Sequence, residues 1–162
     1  MLFRSRAIGQ RRSDLVRIGK RNRRDDGLQF RIQKLRDKPH FMPLFEHELA
    51  EIDGWPALDI GPYITLNGKG MTGDGLAAKL KAFCQAHPRL KQAEVFLHGL
   101  RALAVCDRRI DGASHQEIAN QLCMSVGMVM RYSKGIDSEA ASRAANVRRA
   151  ANRAPKGGGG RD

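Results

Sequence analysis

The sequence predicts a mainly α-helical domain with a small antiparallel β-hairpin or sheet, an α+β fold. The clearest helical signal runs from Leu76 to Cys84, where apolar residues recur at i, i+4, i+7 and i+8, the spacing of one helix face. The strand signal runs from Leu28 to Ile32, where every second residue is apolar. A length of 162 residues suits one domain with its own core.

The first predicted element is a short helix. Ser13 or Asp14 can cap a helix that begins at Leu15 and ends near Lys20. The helix is followed by residues 22–27, which contain the turn-forming residues Asn, Asp and Gly. We therefore expect a turn there, before the first strand.

A β-hairpin is predicted after this turn. Its first strand covers Leu28 to Gln33, and a turn over residues 37–39 leads into a returning strand from His40 to Leu44. Lys34 ends the first strand. Its side chain is therefore expected near the tip of the hairpin.

Helices dominate the rest of the chain. In chain order, we first predict a helix over 45–52, a strand over 63–66, a turn over 67–70 and a helix over 76–84 with Thr72 as its cap. The next helix carries His98 and Arg101 and ends at Asp111-Gly112. It is followed by a helix over 114–122, a segment over 128–132 after a further turn, and an alanine-rich helix over 138–152. Ser114 and Glu117 have the spacing of a capping box, which fixes one helix start.

The charge balance predicts a polyanionic partner. Lys and Arg number 29 against 17 acidic residues, so the net charge is +12, and the basic residues recur along the whole chain. This distribution is typical of a broad nucleic-acid-binding face. Residues 1–12 lack a signal-peptide core and no apolar run is long enough to span a membrane, so we expect a cytoplasmic, nucleoid-associated protein with no membrane partner.

The cysteine pattern predicts no metal site. The three cysteines, Cys84, Cys106 and Cys123, have no CxxC or other metal-ligand spacing. Each lies among apolar residues and is expected to be a small buried hydrophobic side chain in a reducing compartment. No cofactor is expected.

His98 and Arg101 are three residues apart and would leave the same face of their helix. A guanidinium offers a planar fork of donors to two phosphate oxygens, and an imidazole can accept, donate or shuttle a proton. Tyr132 follows between Arg131 and Lys134, where cations would favour the phenolate. These side chains are candidates for a phosphate site; the alternative is an ordinary surface pair with a structural tyrosine.

A second interpretation concerns residues 114–132. The pattern resembles a helix-turn-helix, because the small Ala119 permits close helix crossing and Ile118, Leu122 and Val129 can form its core. The chain would then be a non-enzymatic DNA-binding protein whose second helix reads a groove. Two packed helices within a larger domain would show the same pattern.

The order of the motifs points to a family. Residues 9–14 (Gly-Gln-Arg-Arg-Ser-Asp), Gln33-Lys34, Pro43-Leu44, residues 98–101 (His-Gly-Leu-Arg), residues 112–119 and Arg131-Tyr132-Ser133 follow one another. This order and spacing resemble those of the tyrosine recombinase (phage integrase) catalytic domain, over about residues 9–152. The resemblance implies a mainly helical fold with a small antiparallel sheet, and a site-specific recombinase that acts on double-stranded DNA.

The resemblance also implies the catalytic residues Arg11, Lys34, His98, Arg101 and Tyr132. The two arginines would clamp the scissile phosphate, and the histidine would bond a non-bridging oxygen and assist proton transfer. The lysine would protonate the leaving 5′ oxygen, with Lys38 as an alternative because the hairpin is about one residue longer than usual. The tyrosine would form a 3′-phosphotyrosine, and Asp14 would support the arginines.

Three features depart from the family pattern. Met124 stands where the family usually has a second histidine, and a thioether donates no hydrogen bond. The segment from Ser125 to Tyr132 is one residue short, which would shift the nucleophile by about a quarter-turn of helix. Only residues 1–8 precede the motif at residues 9–14 that contains Arg11, so the family's DNA-embracing N-terminal domain is expected to be absent. DNA binding is expected, and cleavage is left open.

The predicted domain organisation has three parts. Residues 1–8 are a truncated N-terminal stub, residues 9–153 an integrase-type catalytic domain, and residues 154–162 a flexible Gly-rich tail. The small, apolar residues from Ala140 to Ala151 can dock on a neighbouring subunit and form a homo-oligomer, or can close the core of their own domain. Both alternatives stay open.

Overall fold

The computed structural model describes residues 6–54, 59–92 and 95–153. Its helices are α1 (Arg12–Leu15), α2 (Glu46–Asp53), α3 (Gly73–Ala86), α4 (Pro88–Gln92), α5 (Leu97–Ile110), α6 (His115–Leu122) and α7 (Val126–Arg153). Its strands are β1 (Arg23–Arg24), β2 (Gly27–Ile32), β3 (Lys38–Pro43), β4 (Thr65–Leu66) and β5 (Lys69–Gly70). The predicted class, mainly helical with a small antiparallel sheet, is confirmed. The predicted tail at 154–162 lies outside the described residues.

The predicted hairpin is the centre of a three-stranded antiparallel sheet with the order β1-β2-β3. Leu28 pairs with Met42 and Ile32 pairs with Lys38 across β2 and β3. The apolar residues of β2 are buried and its alternate residues exposed, as the period-2 pattern requires. Strand β1 lies within the segment that was predicted as a turn. It was not predicted, because two residues are too few to show an alternating pattern.

One hydrophobic core joins the sheet to the C-terminal helices. Its fully buried members include Ile32 and Met42 from the sheet, Ala104 and Val105 from α5, Ile118 and Leu122 from α6, and Val129 from the start of α7, together with Ile52 of α2 and Leu76 of α3. A second cluster of Leu80, Cys84 and Leu100 holds α3 against α5. Burial of these faces fixes the relative positions of the hairpin, α5 and α7.

Two predicted helix caps are confirmed. Gly75 N donates to Thr72 Oγ1 over 3.0 Å at the start of α3. Ser114 and Glu117 form the predicted capping box, in which each side chain accepts from the other's backbone N–H. Helix α3 ends at Ala86, and Pro88 begins α4, which was not predicted. Proline is well suited to the first helical position.

Two helix boundaries were predicted wrongly. The first helix covers only Arg12–Leu15 and does not reach Lys20. Arg11 stands at its N-cap position, and the predicted cap Asp14 lies inside the helix, where its carboxylate accepts a hydrogen bond from Gln33 N of the hairpin. The last helix is continuous from Val126 to Arg153 rather than beginning at Ser138. Gly135 lowers helix propensity by about 1 kcal/mol, and tertiary contacts of the neighbouring turn outweigh this cost.

The C-terminal part of α7 leaves the core. Residues 138–150 are exposed apart from a half-buried Ala145, and Val147 is 70% exposed. This part of the helix therefore does not close the core of its own domain. None of the helices in the described ranges is both long and apolar enough to cross a membrane.

Candidate functional site

One open groove of about 970 Å³ brings together the five predicted catalytic residues. The residues from the predicted set that line it are Arg11, Lys34, His98, Arg101, Met124 and Tyr132. They come from the turn before α1, the hairpin tip, the first turns of α5, the α6–α7 turn and the second turn of α7. Residues separated by more than a hundred positions in the chain thus face one volume.

The imidazole of His98 contacts the phenol of Tyr132. Tyr132 Oη and His98 Nε2 are 2.6 Å apart, and the two rings meet edge to face with centroids 5.6 Å apart. In the tautomer that leaves Nε2 unprotonated, this nitrogen accepts the phenol proton. A candidate base is therefore in hydrogen-bond contact with a candidate nucleophile.

Arg101 is held by backbone carbonyls. Its side chain is only 6% exposed, with Nη1 donating to Gly9 O over 2.6 Å and Nη2 donating to Leu122 O over 2.7 Å. Burial, and then the positive charge of Arg11, lower the pKa of Arg101 to about 10. The guanidinium stays protonated at neutral pH and is rigidly oriented beside the groove.

Arg11 keeps more of its donors free than Arg101. Its Nη2 makes one long hydrogen bond to Cys123 O, 3.4 Å. Its buried Nη1 has no hydrogen-bond partner among the described residues. A buried guanidinium nitrogen without an acceptor is costly, and an anionic oxygen in the groove would supply one.

Asp14 links α1 to the hairpin tip. The carboxylate is almost completely buried, and its Oδ1 accepts from Gln33 N over 3.0 Å. Gln33 immediately precedes Lys34 in a short 3-10 turn. Asp14 thus positions the turn that carries Lys34. Its support of the two arginines, which the resemblance implied, stays a prediction.

The two candidate lysines lie in different places. Lys34 is exposed and lines the groove that contains Tyr132. Lys38, on β3, lines a smaller adjoining cavity of about 430 Å³, which Lys34 and Arg11 also line. Lys34 is therefore the lysine that shares a volume with the tyrosine.

Met124 faces the groove at the turn between α6 and α7. The residue is half-buried and lines both cavities. Cys123 before it has a left-handed backbone, φ 49°, which ends α6 and directs the turn. A thioether in this position provides packing but no hydrogen-bond donor.

A network beside the tyrosine fixes the start of α7. Asp137 accepts from Ser133 Oγ at 2.5 Å, lies 2.8 Å from His115 Nε2, and pairs with Arg109 at 2.7 Å. These hydrogen bonds, that of Ser133 first, hold the pKa of Asp137 far below its usual value. The network joins α5, α6 and α7 one residue after Tyr132.

Sequence reasoning missed the residues that hold Arg101. Gly9 accepts its hydrogen bond with a left-handed backbone, φ 59°, and a Cβ at Gly9 would lie 2.8 Å from Ala104 Cβ. Gln10 is buried beside it and its Oε1 lies 3.5 Å from Arg101 Nη1. The only sequence signal was the glycine directly before Gln10-Arg11.

Comparison with known proteins gives the fold. No family model matches the chain, and no curated protein matches it. Among solved structures, a lambda integrase dimer bound to a COC′ core site is similar over 81% of this chain and 50% of its own, with 17% identity and a TM-score of 0.62. XerH recombinase bound to a palindromic difH substrate is similar over 90% and 44%, with 14% identity and a TM-score of 0.62.

A third similar structure is the Tn1549 transposon integrase in complex with transposon right-end DNA, with 12% identity, a TM-score of 0.55 and coverage of 81% and 52%. The chain has the fold of a tyrosine recombinase catalytic domain. It spans about half the length of the solved chains it matches. The predicted helix-turn-helix is α6 and the start of α7 within this recombinase fold, with Ile118, Leu122 and Val129 buried in the shared core.

Proposed function

We propose that this chain is the catalytic domain of a site-specific DNA recombinase or integrase, which cuts and rejoins DNA through a 3′-phosphotyrosine on Tyr132. The observation that carries the proposal is the contact of Tyr132 with His98 in a groove lined by both arginines and Lys34. Two structures that share the fold support the proposal, a lambda integrase dimer bound to a COC′ core site and XerH bound to a palindromic difH substrate.

The proposed cleavage step uses each of these side chains. Tyr132 Oη attacks the scissile phosphorus while its proton passes to His98 Nε2. The bond from phosphorus to the 5′ oxygen breaks, and Lys34 gives this oxygen a proton. One phosphate ester replaces another, so a 5′ hydroxyl can reverse the step and rejoin a strand without ATP.

Electrostatics supports this step. Negative charge develops on the non-bridging phosphate oxygens in the transition state, and preorganised cationic donors stabilise it. Arg101 is fixed by two carbonyls, and Arg11 has a buried nitrogen that lacks an acceptor within the described structure. The net charge of +12 supports double-stranded DNA as the partner and a nucleoid-associated location.

Covalent trapping on a suicide substrate tests the proposal. In a duplex nicked beside the cleavage site, the short fragment that carries the 5′ hydroxyl dissociates after cleavage. Because that hydroxyl can no longer rejoin the strand, the labelled DNA stays attached to Tyr132 under denaturing conditions. We expect an adduct in the wild type, none in Tyr132→Phe, and a rate about 100-fold to 1000-fold lower in Arg11→Ala. Intact DNA binding without any adduct over a range of DNA sequences would disprove cleavage.

A second candidate function is DNA binding without cleavage. The observation that favours it is Met124, which leaves the groove without a donor at that turn. This function predicts sequence-specific binding that survives Tyr132→Phe and Arg101→Ala but is lost when the exposed Arg131 on α7 is changed. Trapping of an adduct would exclude it.

We also propose that the end of α7 mediates a homo-oligomer. The exposed Val147 and the small residues around it support this proposal. This face of α7 does not pack on its own domain, so a helix from a second copy of the chain could pack against it. Val147→Glu should lower the mass measured by sedimentation on DNA, whereas Arg148→Ala should not. An unchanged mass in Val147→Glu would contradict the proposal.

A further inference from the structure

A second groove, of about 510 Å³, lies beside the β2–β3 hairpin and is rich in arginine. Four guanidinium side chains line it, from Arg17, Arg21, Arg24 and Arg31. All four side chains are exposed. None of these residues lines the groove that contains Tyr132.

Three of the four arginines of this groove form no ion pair with any described residue. Arg6, Arg12, Arg23, Arg109 and Arg143 each form an ion pair with a carboxylate. Among the described residues, Arg17 is the one arginine of the groove that does so, with Asp37. The carboxylate of Asp14 also lines it but is 1% exposed and engaged with Gln33. The groove therefore keeps an excess of positive charge.

Neutral acceptors orient two of these guanidinium groups. Arg24 donates to the carbonyl oxygens of Arg21 and Arg23 and to Gln29 Oε1, over 2.7–3.1 Å. Arg31 donates to Asp37 O over 3.0 Å. Such hydrogen bonds fix a guanidinium without neutralising it, while the Arg21 side chain has no hydrogen-bond or ion-pair partner among the described residues.

The arginine groove adjoins the candidate active site. Residues 11–13 line the groove with Tyr132, and Asp14, Arg17 and Ile18 line the arginine groove. The hairpin likewise contributes Lys34 to the first groove and Arg31 to the second. One short segment and one hairpin thus form the wall between the two volumes.

We propose that the arginine groove is a second phosphate-binding surface, which holds the backbone of the bound DNA outside the segment that faces Tyr132. This inference rests on the proposed function, since it needs DNA as the partner. Arginine binds phosphate oxygens through a planar fork of donors and does so without reading base sequence. The surface therefore adds affinity and register, not sequence selectivity.

The test compares DNA binding by two double variants. Arg21→Ala/Arg24→Ala removes two charges from the groove. Arg23→Ala/Arg143→Ala removes two charges that are already paired with Asp53 and Glu139. Affinity is measured on duplexes of about one, two and three helical turns, between about 50 and 200 mM salt.

We expect the groove variant to match the control on the shortest duplex and to bind the longer ones more weakly. On the longer duplexes, the slope of log affinity against log salt should become less steep by roughly 2. When the salt concentration rises fourfold, the loss of DNA affinity should therefore be about tenfold smaller in this variant than in the wild type. Thermal unfolding of both variants checks that each is folded. The single variant Arg21→Ala, which removes an unpaired side chain, should show half of the change in slope.

Other results would overturn the inference. Equal affinity and slope for the two double variants at every length would show that the arginine groove does not meet DNA. A loss that is already complete on the shortest duplex would place these arginines on the segment that faces Tyr132, and would remove the second surface. If the wild type binds but forms no adduct, the proposed cleavage fails while the length dependence still decides this inference.

Discussion

Replacing Arg101 by alanine should cost far more folding stability than replacing Arg11, although both are proposed to bind the same phosphate. Arg101 is buried and its guanidinium donates to two carbonyl oxygens, of Gly9 and Leu122, over 2.6 and 2.7 Å. Both of those residues are buried. Arg11 is half-buried and makes a single long bond of 3.4 Å to Cys123 O.

The magnitude follows from the carbonyls left behind. A buried acceptor that loses its only charged donor costs about 1–3 kcal/mol. Two such acceptors give about 2–4 kcal/mol, because the adjacent open groove allows some water to replace the lost donors. Burial of the Arg101 charge is unfavourable and lowers its pKa to about 10. Removing this charge in Arg101→Ala recovers part of the lost folding free energy and keeps the net loss within that range. For Arg11 we expect less than about 1 kcal/mol.

Urea denaturation of the wild type, Arg11→Ala and Arg101→Ala measures the difference. We expect a midpoint shift in Arg101→Ala with an unchanged slope, and a melting temperature about 5–15 °C lower. Arg11→Ala serves as the matched control, since it removes the same charge from the same groove. Equal losses in the two variants would refute the conclusion that Arg101 ties residues 9 and 122 together.

Three further predictions follow from the site. Met124→His should restore a hydrogen-bond donor and raise the rate of adduct formation by about tenfold or more; an unchanged rate would show that this position does not face the phosphate. The pKa of Asp137 is held low by the Ser133 hydroxyl first and then by an imidazole and a guanidinium, so its stabilisation is complete above about pH 4 and is lost as the pH falls below that value. The urea midpoint of Asp137→Asn should therefore depend less on pH than that of the wild type between about pH 5 and pH 2. The same pH dependence in both proteins would contradict this prediction. Gly9→Ala should destabilise the fold by about 2–4 kcal/mol in urea, because its φ is 59° and the new Cβ would clash, whereas Gly112→Ala, with open space around it, should cost only the backbone strain of about 1–2 kcal/mol.

Sequence patterns predicted the elements whose stability is local. The Thr72 and Ser114 caps are formed as predicted, since capping depends on residues three positions apart. The hairpin follows from the alternation between Leu28 and Ile32. The order of the motifs also gave the recombinase fold, because each motif occupies a fixed place along the chain.

Long-range contacts decided where local signals conflicted. The predicted break before Ser138 does not occur, because Ser133 and Asp137 bond to His115 and Arg109 on other helices. Asp14 bonds to Gln33 instead of capping α1. A side chain that finds a distant partner no longer obeys the preference of its own segment.

The sequence by itself determined the helical class, the hairpin, the caps and the set of candidate catalytic residues. Only the tertiary structure decided that Tyr132 meets His98, that Lys34 rather than Lys38 shares their groove, and that Arg101 is anchored by Gly9. The physical reason is that a local pattern fixes the direction of a side chain within its own element. Packing of the hairpin, α5 and α7 on one core fixes the distances between side chains from different elements.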